Sequence, residues 1–319
     1  MPSSTSSSKT FVRWFLAVFT VLVVGFGLGS EVLIRTKVEP NHNFYKYLRL
    51  FRDSNSVNTI FGDSHAAYGL TGHDGFVNLA NGGDSMYGIY EKLRVYFADR
   101  RAGNVILQAG PHHFSRGYHL WRPADAEFPH LVDTFDSLTP RILTGPSARE
   151  IFGYWQIFLS GREFVPRHPI LSDGSRPVAR DGRYQAYTPQ HRRVGALRYA
   201  RQVEPVFGVE TSPVADLYVR AIDYLLERGA RLCLVSFPIT TDFKEAVRKM
   251  PSFGHAREFF ASLAKRKGLG YVDGWEIPLP DEMFDDYDHL NVDGARRLTS
   301  IVVTKCFSKG NTGSTAAIR

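Results

Sequence analysis

VNTIFGDSHA, residues 57–66, is the stretch from which the fold can be read outward. A short apolar run, Val57–Phe61, stops at Gly62, and Asp63-Ser64-His65-Ala66 reads as a turn opening a helix. The same grammar recurs. Phe76–Leu79 stops at Gly82 and Gly83, and Val105–Ala109 stops at Gly110 and Pro111. Leu232–Phe237 and Leu269–Val272 give a fourth and a fifth run. Between and after them, Met86–Arg100, Pro213–Arg228, Phe243–Met250, His255–Lys267 and Val292–Phe307 have helical spacing. Ser212 caps the second of these helices, Pro213 takes its first position and Gly229 closes it, while Asn291 caps the last. Short apolar strands alternating with amphipathic helices predict an α/β fold with a parallel sheet of about five strands, covered on both faces. In such sheets ligands bind beyond the carboxyl ends of the strands, and the stops at Gly62, Gly83 and Gly110 all fall at such ends.

The chain has 319 residues, room for one large domain or two small ones. Hydrophobic residues make up 43% and charged residues 22%, a balance of ordered rather than disordered chains. The formal net charge of +7 permits nucleic acid, anionic lipid or acidic polymer as partner. The Lys and Arg residues are dispersed, however, and no zinc-finger or helix-turn-helix pattern is present, so nucleic acid is set aside. Two cysteines, Cys233 and Cys306, can form one disulfide but make no disulfide framework.

Residues 1–10 are Ser/Thr-rich and read as a cytoplasmic tail, and 11–34 as a membrane anchor. Trp14–Gly29 is strictly apolar apart from Thr20, and Val32–Ile34 extends the run beyond Glu31. That is short of the ~20 residues a full span prefers, yet longer than many signal-peptide cores. Lys9 and Arg13 precede it, which keeps the N-terminus cytoplasmic and places the remainder beyond an inner membrane, in the periplasm. No A-x-A site follows, so the anchor is read as uncleaved. Residues 35–56 read as a linker, 57–307 as the main folded domain and 308–319 as a disordered tail. Within the domain, 115–212 breaks the β/α pattern. It is rich in Arg and aromatics, among them Tyr118, Trp121, Tyr154, Trp155, Phe158, Tyr184 and Tyr187, and reads as an inserted cap with some helix, for example Ala148–Leu159.

Three motifs carry the chemistry. Ser64, at a strand-to-helix turn, can project its hydroxyl into the site, with backbone N–H groups of the following turn available to a developing oxyanion. Asp286-Tyr287-Asp288-His289 precedes the last helix. His is the side chain suited to take a serine proton near neutral pH, and a carboxylate fixes its tautomer. Asp286 is read as that carboxylate with Asp285 as its rival, while Asp288 and Asp293 read as part of a solvated acidic loop. Between these two motifs, Asn78-Leu79-Ala80-Asn81-Gly82-Gly83-Asp84-Ser85 forms a turn whose glycine can present an N–H to the same oxyanion.

In this order, each at a strand end, the motifs resemble those of the SGNH (GDSL-type) hydrolase superfamily. The resemblance covers about residues 57–114 and 213–307. It implies a flavodoxin-like α/β/α fold and a Ser-His-Asp triad of Ser64, His289 and Asp286, with an oxyanion hole from the N–H groups of Ser64 and Gly83. Gly294 matches a glycine often found soon after the His. Where the family usually carries Gly-x-Asn-Asp, this chain reads Gly110-Pro111-His112-His113, so His112 stands at the Asn position and is expected to lend one N–H to the oxyanion. Losing one such donor typically costs about 100- to 1000-fold in rate. Neighbouring His112 and His113 are not expected to converge on a metal, for want of a third ligand at suitable spacing, and no cofactor is expected. Gly-Asp-Ser-His-Ala with a late Asp-His-Leu looks closest to the SGNH domains tied to bacterial surface-sugar O-acetylation, with His65 structural or supporting.

The expected activity is therefore hydrolysis or transfer of an acyl group, most simply acetyl, on a cell-envelope polysaccharide. Arg side chains pair with carboxylates and aromatic faces stack on sugars, in keeping with the inserted segment. With a single anchor, an acyl donor from the cytoplasm requires a separate multi-span partner. Two alternatives stand beside this reading: a lipid esterase or thioesterase using the same triad, and a non-catalytic polysaccharide-binding or assembly protein on a degenerate hydrolase fold.

Overall fold

A computed structural model describes residues 5–72, 75–118, 128, 132, 139–144, 146–166, 168–180, 183–206 and 208–308. Trp121, residues 1–4 of the expected tail and residues 309–319 of the expected C-terminal tail lie outside the described residues. The chain divides into two compact units, residues 1–48 with 133–167, and residues 49–132 with 168–319.

The second unit is α/β. Its five strands are β1 (Thr59–Phe61), β2 (Val77–Asn78), β3 (Asn104–Gln108), β4 (Arg231–Ser236) and β5 (Gly270–Asp273). All are parallel, in the order β2-β1-β3-β4-β5, which is the flavodoxin-like doubly wound order. Each apolar run in the sequence coincides with one strand, with ends shifted by no more than two residues.

Strand alternation assigns the two faces. Ile60, Ile106, Cys233, Val235 and Val272 share one core with Ala66, Ala67 and Leu70 from helix Ser64–Gly69 and its end, and with Leu298, Val302 and Cys306 from helix Val292–Phe307. Cys233 and Cys306 are joined by a disulfide across this layer. On the other face Phe61 meets the rings of Tyr96 and Phe97 at 6.0 Å, and helices Met86–Tyr96 and Pro213–Glu227 pack together. The result is three layers with the sheet in the middle. The helix boundaries follow their caps: Ser85 accepts from Gly88 N, Ser212 from Val214 N, and Asn291 from the N–H groups of Asp293 and Gly294.

Two expectations are corrected. Residues 35–56 are not a linker: helix Asn43–Asp53 occupies half of them and buries Tyr45, Leu48 and Phe51, whose three-residue spacing sets one face inward. Nor is 115–212 one inserted cap. Residues 133–167, including the expected helix Ala148–Leu159, belong to the unit of the apolar N-terminal helix, and only the remainder belongs with the sheet. In the first unit, helix Thr5–Leu33 is long and apolar enough to cross a membrane.

Candidate active site

β1 ends at Phe61, and helix Ser64–Gly69 begins two residues after Gly62. Gly62 is required here by crowding: a Cβ on it would lie 2.6 Å from Ala66 Cβ and 2.7 Å from Gln108 Cβ. Asp63 caps the helix by accepting from His65 N (2.9 Å), which leaves Ser64 at the helix start with its hydroxyl outward.

The loop 285–289 is pinched shut. Phe284 and Leu290, both core residues, form a bridge, and Asp285 N donates to His289 O (2.8 Å). Inside it, Asp286 Oδ1 accepts from the backbone N–H groups of Asp288 (3.3 Å) and His289 (3.0 Å). The carboxylate therefore sits beneath the His289 ring, and Nδ1 lies 2.9 Å from Oδ1 and 3.2 Å from Oδ2. On its far side the ring meets the serine: His289 Nε2 is 2.9 Å from Ser64 Oγ. The structure thus brings Ser64, His289 and Asp286 together. Asp285 goes elsewhere, its carboxylate taking Arg183 Nη2 at 2.9 Å, and the same guanidinium nitrogen reaches Asp286 Oδ2 at 2.9 Å.

Asp288 is not part of a solvated acidic loop. It is buried, with Oδ1 3.3 Å from His289 Nδ1 and Oδ2 2.9 Å from His65 Nε2. Two carboxylates therefore face the same nitrogen of His289. Asp293 does keep to the surface, where it pairs with Arg180 at 2.7 Å.

Behind Ser64 lies a buried network that the sequence did not disclose. Asp63 Oδ1 accepts from Gln108 Nε2 (2.8 Å) and meets His65 Nδ1 (2.9 Å), while Gln108 Oε1 accepts from Asp63 N (2.9 Å). Asp63 Oδ2 meets His112 Nε2 at 2.5 Å and His113 Nε2 at 3.2 Å. His113 Nδ1 in turn meets the Tyr218 hydroxyl at 2.5 Å. His112, expected to lend an N–H to the oxyanion, instead gives its Nε2 to Asp63. The reason is the tight turn at Pro111–Phe114, which follows β3 directly and folds both rings back over Asp63. The adjacent pair His112 and His113 do converge, with Asp63 as the third group, and the ligand-type atoms of these three lie within 4.8 Å of one another, as do those of His65, Asp288 and His289. In both groups the ring nitrogens are already committed to carboxylates, bonds that a metal would have to replace.

The second motif packs its turn against the serine. A Cβ on Gly82 would lie 3.8 Å from Ser64 Cβ, and Gly83, with φ of +81°, supplies the left-handed turn that a side chain would strain. Gly82 thus borders Ser64, and Gly83 follows it in the same turn. Asp84 anchors the turn through buried Lys92 (2.5 Å). Tyr68, also unforeseen, sets its ring edge-on to His289 at 5.7 Å. It lines a cavity of about 490 Å³ together with Leu171, Asp173, Val292, Arg296 and Ser300.

The electrostatics follow from this packing. Burial pushes the Asp63 carboxyl up, but His112 and His65 overcome it and hold the group well below the usual carboxylate range. Burial opposes a charged His65, yet Asp288 and Asp63, one on each ring nitrogen, raise it to about 9, so it is an imidazolium at neutral pH. Burial lowers His112 to about 4 against the pull of Asp63, so that ring is neutral. Burial raises Asp288, and the charges of His65 and His289 bring it well below its ordinary value. His289 is disfavoured by burial but lifted well above its ordinary value by the charge of Asp288 and the hydrogen bond to Asp286. The charged His65 ring stacks between those of His112 (4.4 Å) and His289 (4.6 Å).

No known family model matches this chain, and no curated protein matches it.

Proposed function

We propose that this protein is a membrane-anchored serine hydrolase or acyltransferase of the SGNH type, acting on acyl esters of a cell-envelope polysaccharide. One observation carries the reading: Ser64 Oγ, the His289 ring and the Asp286 carboxylate form an unbroken hydrogen-bonded line, 2.9 Å at each step, beyond the carboxyl end of β1. Proton transfer from Ser64 Oγ to His289 Nε2 frees the oxygen to attack the ester carbonyl. Asp286 and Asp288 stabilise the imidazolium that results. Collapse of the tetrahedral intermediate breaks the ester bond, and His289 returns the proton to the departing alkoxide, leaving acyl-Ser64. Water or a sugar hydroxyl, deprotonated by the same ring, then takes the acyl group and restores Ser64. The order in which water and sugar reach this ester separates hydrolysis from transfer.

The cavity beside Tyr68 offers an aromatic face, hydroxyls and both signs of charge, which suits a sugar acceptor better than a lipid chain. Lys9 and Arg13, in the first turns of the apolar helix, and the disulfide between Cys233 and Cys306, support a periplasmic location for the α/β unit. An acyl donor made in the cytoplasm then reaches it through a separate multi-span partner.

A second reading, a non-catalytic polysaccharide binder on the same fold, is favoured by one observation: His112 stands where the family has an oxyanion donor and spends its Nε2 on Asp63. A serine-directed fluorophosphonate separates the two. Labelling that disappears in Ser64→Ala and His289→Ala, with unchanged melting temperatures, is expected of the enzyme. Absence of labelling as the pH is raised from about 6 to about 10, a range that starts near the ordinary imidazole value and runs well above it, supports the binder.

A further inference from the structure

The apolar helix Thr5–Leu33 has company at its far end. Phe26 meets the rings of Phe152 at 5.6 Å and Trp155 at 6.1 Å. Trp155 Nε1 donates to Ser30 Oγ (2.9 Å), and its ring lies 3.4 Å from the place a Cβ on Gly29 would take. Ile142 lies 3.8 Å from the corresponding point on Gly27. The helices Arg141–Thr144 and Ala148–Leu159 therefore lie alongside residues 26–30.

Depth follows from helix geometry. At 1.5 Å per residue, the stretch from Trp14 to Ser30 rises about 24 Å, less than the ~30 Å of bilayer hydrocarbon. If Trp14 marks the cytoplasmic edge, residues 26–30 are still within acyl chains, and so is whatever packs beside them. The side chains there sort accordingly. Phe152 is 64% exposed, Leu159 76% and Leu143 76%, with Phe158 nearby. Beside the first helix, polar groups find partners: Glu31 takes Ile142 N (3.1 Å) and Arg35, and Arg141 pairs with buried Glu39 (3.1 Å), while Ser147 with Glu150 closes a capping box at the exposed start of the second helix, where Arg149 and Gln156 are also exposed. In water this arrangement exposes large apolar side chains beside polar ones while the Arg141–Glu39 pair is buried, an unfavourable surface for a soluble protein. An amphipathic helix at the headgroup boundary has this pattern.

We propose that Arg141–Thr144 and Ala148–Leu159 form a second membrane contact, seated in the leaflet opposite Lys9 and Arg13, with Phe152, Leu159 and Leu143 among lipid acyl chains. The inference rests on Thr5–Leu33 crossing the bilayer. It makes the anchor a span braced by an interfacial helix from a distant part of the chain, rather than a lone helix.

The test uses the full chain in nanodiscs of phosphatidylethanolamine and phosphatidylglycerol, with nitroxide labels at Phe152→Cys and Leu159→Cys. The native cysteines are disulfide-bonded and take no label. Val23→Cys, on the exposed side of the span, serves as the lipid reference and Ser262→Cys as the water reference. Collision rates with oxygen and with a water-soluble nickel chelate report depth. The expected result is an oxygen-to-nickel ratio at 152 and 159 severalfold above that at 262 and close to that at 23, with unchanged thermal unfolding. A lipid-like label at 23 with water-like labels at 152 and 159 overturns the proposal alone, and the patch would then be the seat of another protein. A water-like label at 23 overturns the span and the proposal together.

Discussion

Replacing either carboxylate that faces His289 should weaken the enzyme without disabling it, and replacing both should disable it. Asp286 Oδ1 lies 2.9 Å from Nδ1 and Asp288 Oδ1 lies 3.3 Å from the same atom. At an effective dielectric of about 20, unit charges at these separations attract by about 6 and about 5 kcal/mol, so neither dominates the stabilisation of the imidazolium. Losing the sole carboxylate of such a triad typically costs about 10⁴ in kcat. Divided between two nearly equal groups, the same free energy corresponds to about 100-fold for each single change and about 10⁴ for the pair. The assay is hydrolysis of 4-nitrophenyl acetate by the full chain in nanodiscs, comparing Asp286→Asn, Asp288→Asn and the double variant, with Asp285→Asn as the control expected to stay within a few-fold. Melting curves separate a loss of chemistry from a loss of fold, because Asp288 also supports buried His65. The reasoning is refuted if Asp286→Asn alone loses the full 10⁴-fold while Asp288→Asn matches the unaltered protein. In that case Asp288 serves His65 only.

Three further outcomes test the buried network. Asp63→Asn should destabilise the protein by about 3–5 kcal/mol, the usual cost of breaking a buried ion pair from one side, seen as a lower denaturant midpoint at unchanged slope. The rate should be alkaline-shifted: His289 must be neutral to accept the Ser64 proton, and its protonated form is favoured above the ordinary 6.5, so kcat/KM should climb with pH through and beyond that value, and Asp288→Asn should move the inflection downward. For stability, the sign follows from His65, raised in the folded protein to about 9 from an ordinary 6.5. Its contribution is fully present below 6.5 and is lost as pH rises through about 9, so the melting temperature should fall between pH 7 and pH 10, and should fall less in His65→Gln.

The sheet was legible because its signals are local. Each strand is an apolar run ended by a turn residue, and the helices Met86–Tyr96, Pro213–Glu227 and Val292–Phe307 begin at side-chain caps, so short windows suffice. Ser64, His289 and Asp286 were legible for a related reason: they sit at the ends of such elements, where a nucleophile, a base and an acid have chemical meaning in one small motif each. Asp288 was not legible. Among Asp281, Glu282, Asp285 and Asp293 it looks like one more solvated acid, and its burial depends on His65, which is 223 residues away in sequence. His112 misled in the opposite direction, since its position suggested an oxyanion donor while the actual demand on its Nε2 comes from Asp63. Helix Asn43–Asp53 could have been found from the spacing of Tyr45, Leu48 and Phe51. The placement of 133–167 with the N-terminal helix could not, because that pairing depends on contacts such as Trp155 with Ser30, which have no local signature.

What the buried network does is best judged by what it connects. Burying ion pairs is a poor route to stability, since the desolvation of each charge offsets most of the attraction. Asp63 nonetheless collects the ends of two strands: its own at β1, and that of β3 through Gln108, His112 and His113. His65 then ties Asp63 to Asp288 in the loop before the last helix, by bonds of 2.9 Å at both nitrogens. Ser64 lies between Asp63 and His65 in sequence, and His289 follows Asp288. A change in any bond of the chain Asp63–His65–Asp288 therefore moves the serine relative to its base, and an error of even 1 Å there is costly to proton transfer. On this account the network holds position as well as the fold, and His65→Gln, able to keep only part of the bridge, should lower kcat by more than its effect on the melting temperature would suggest.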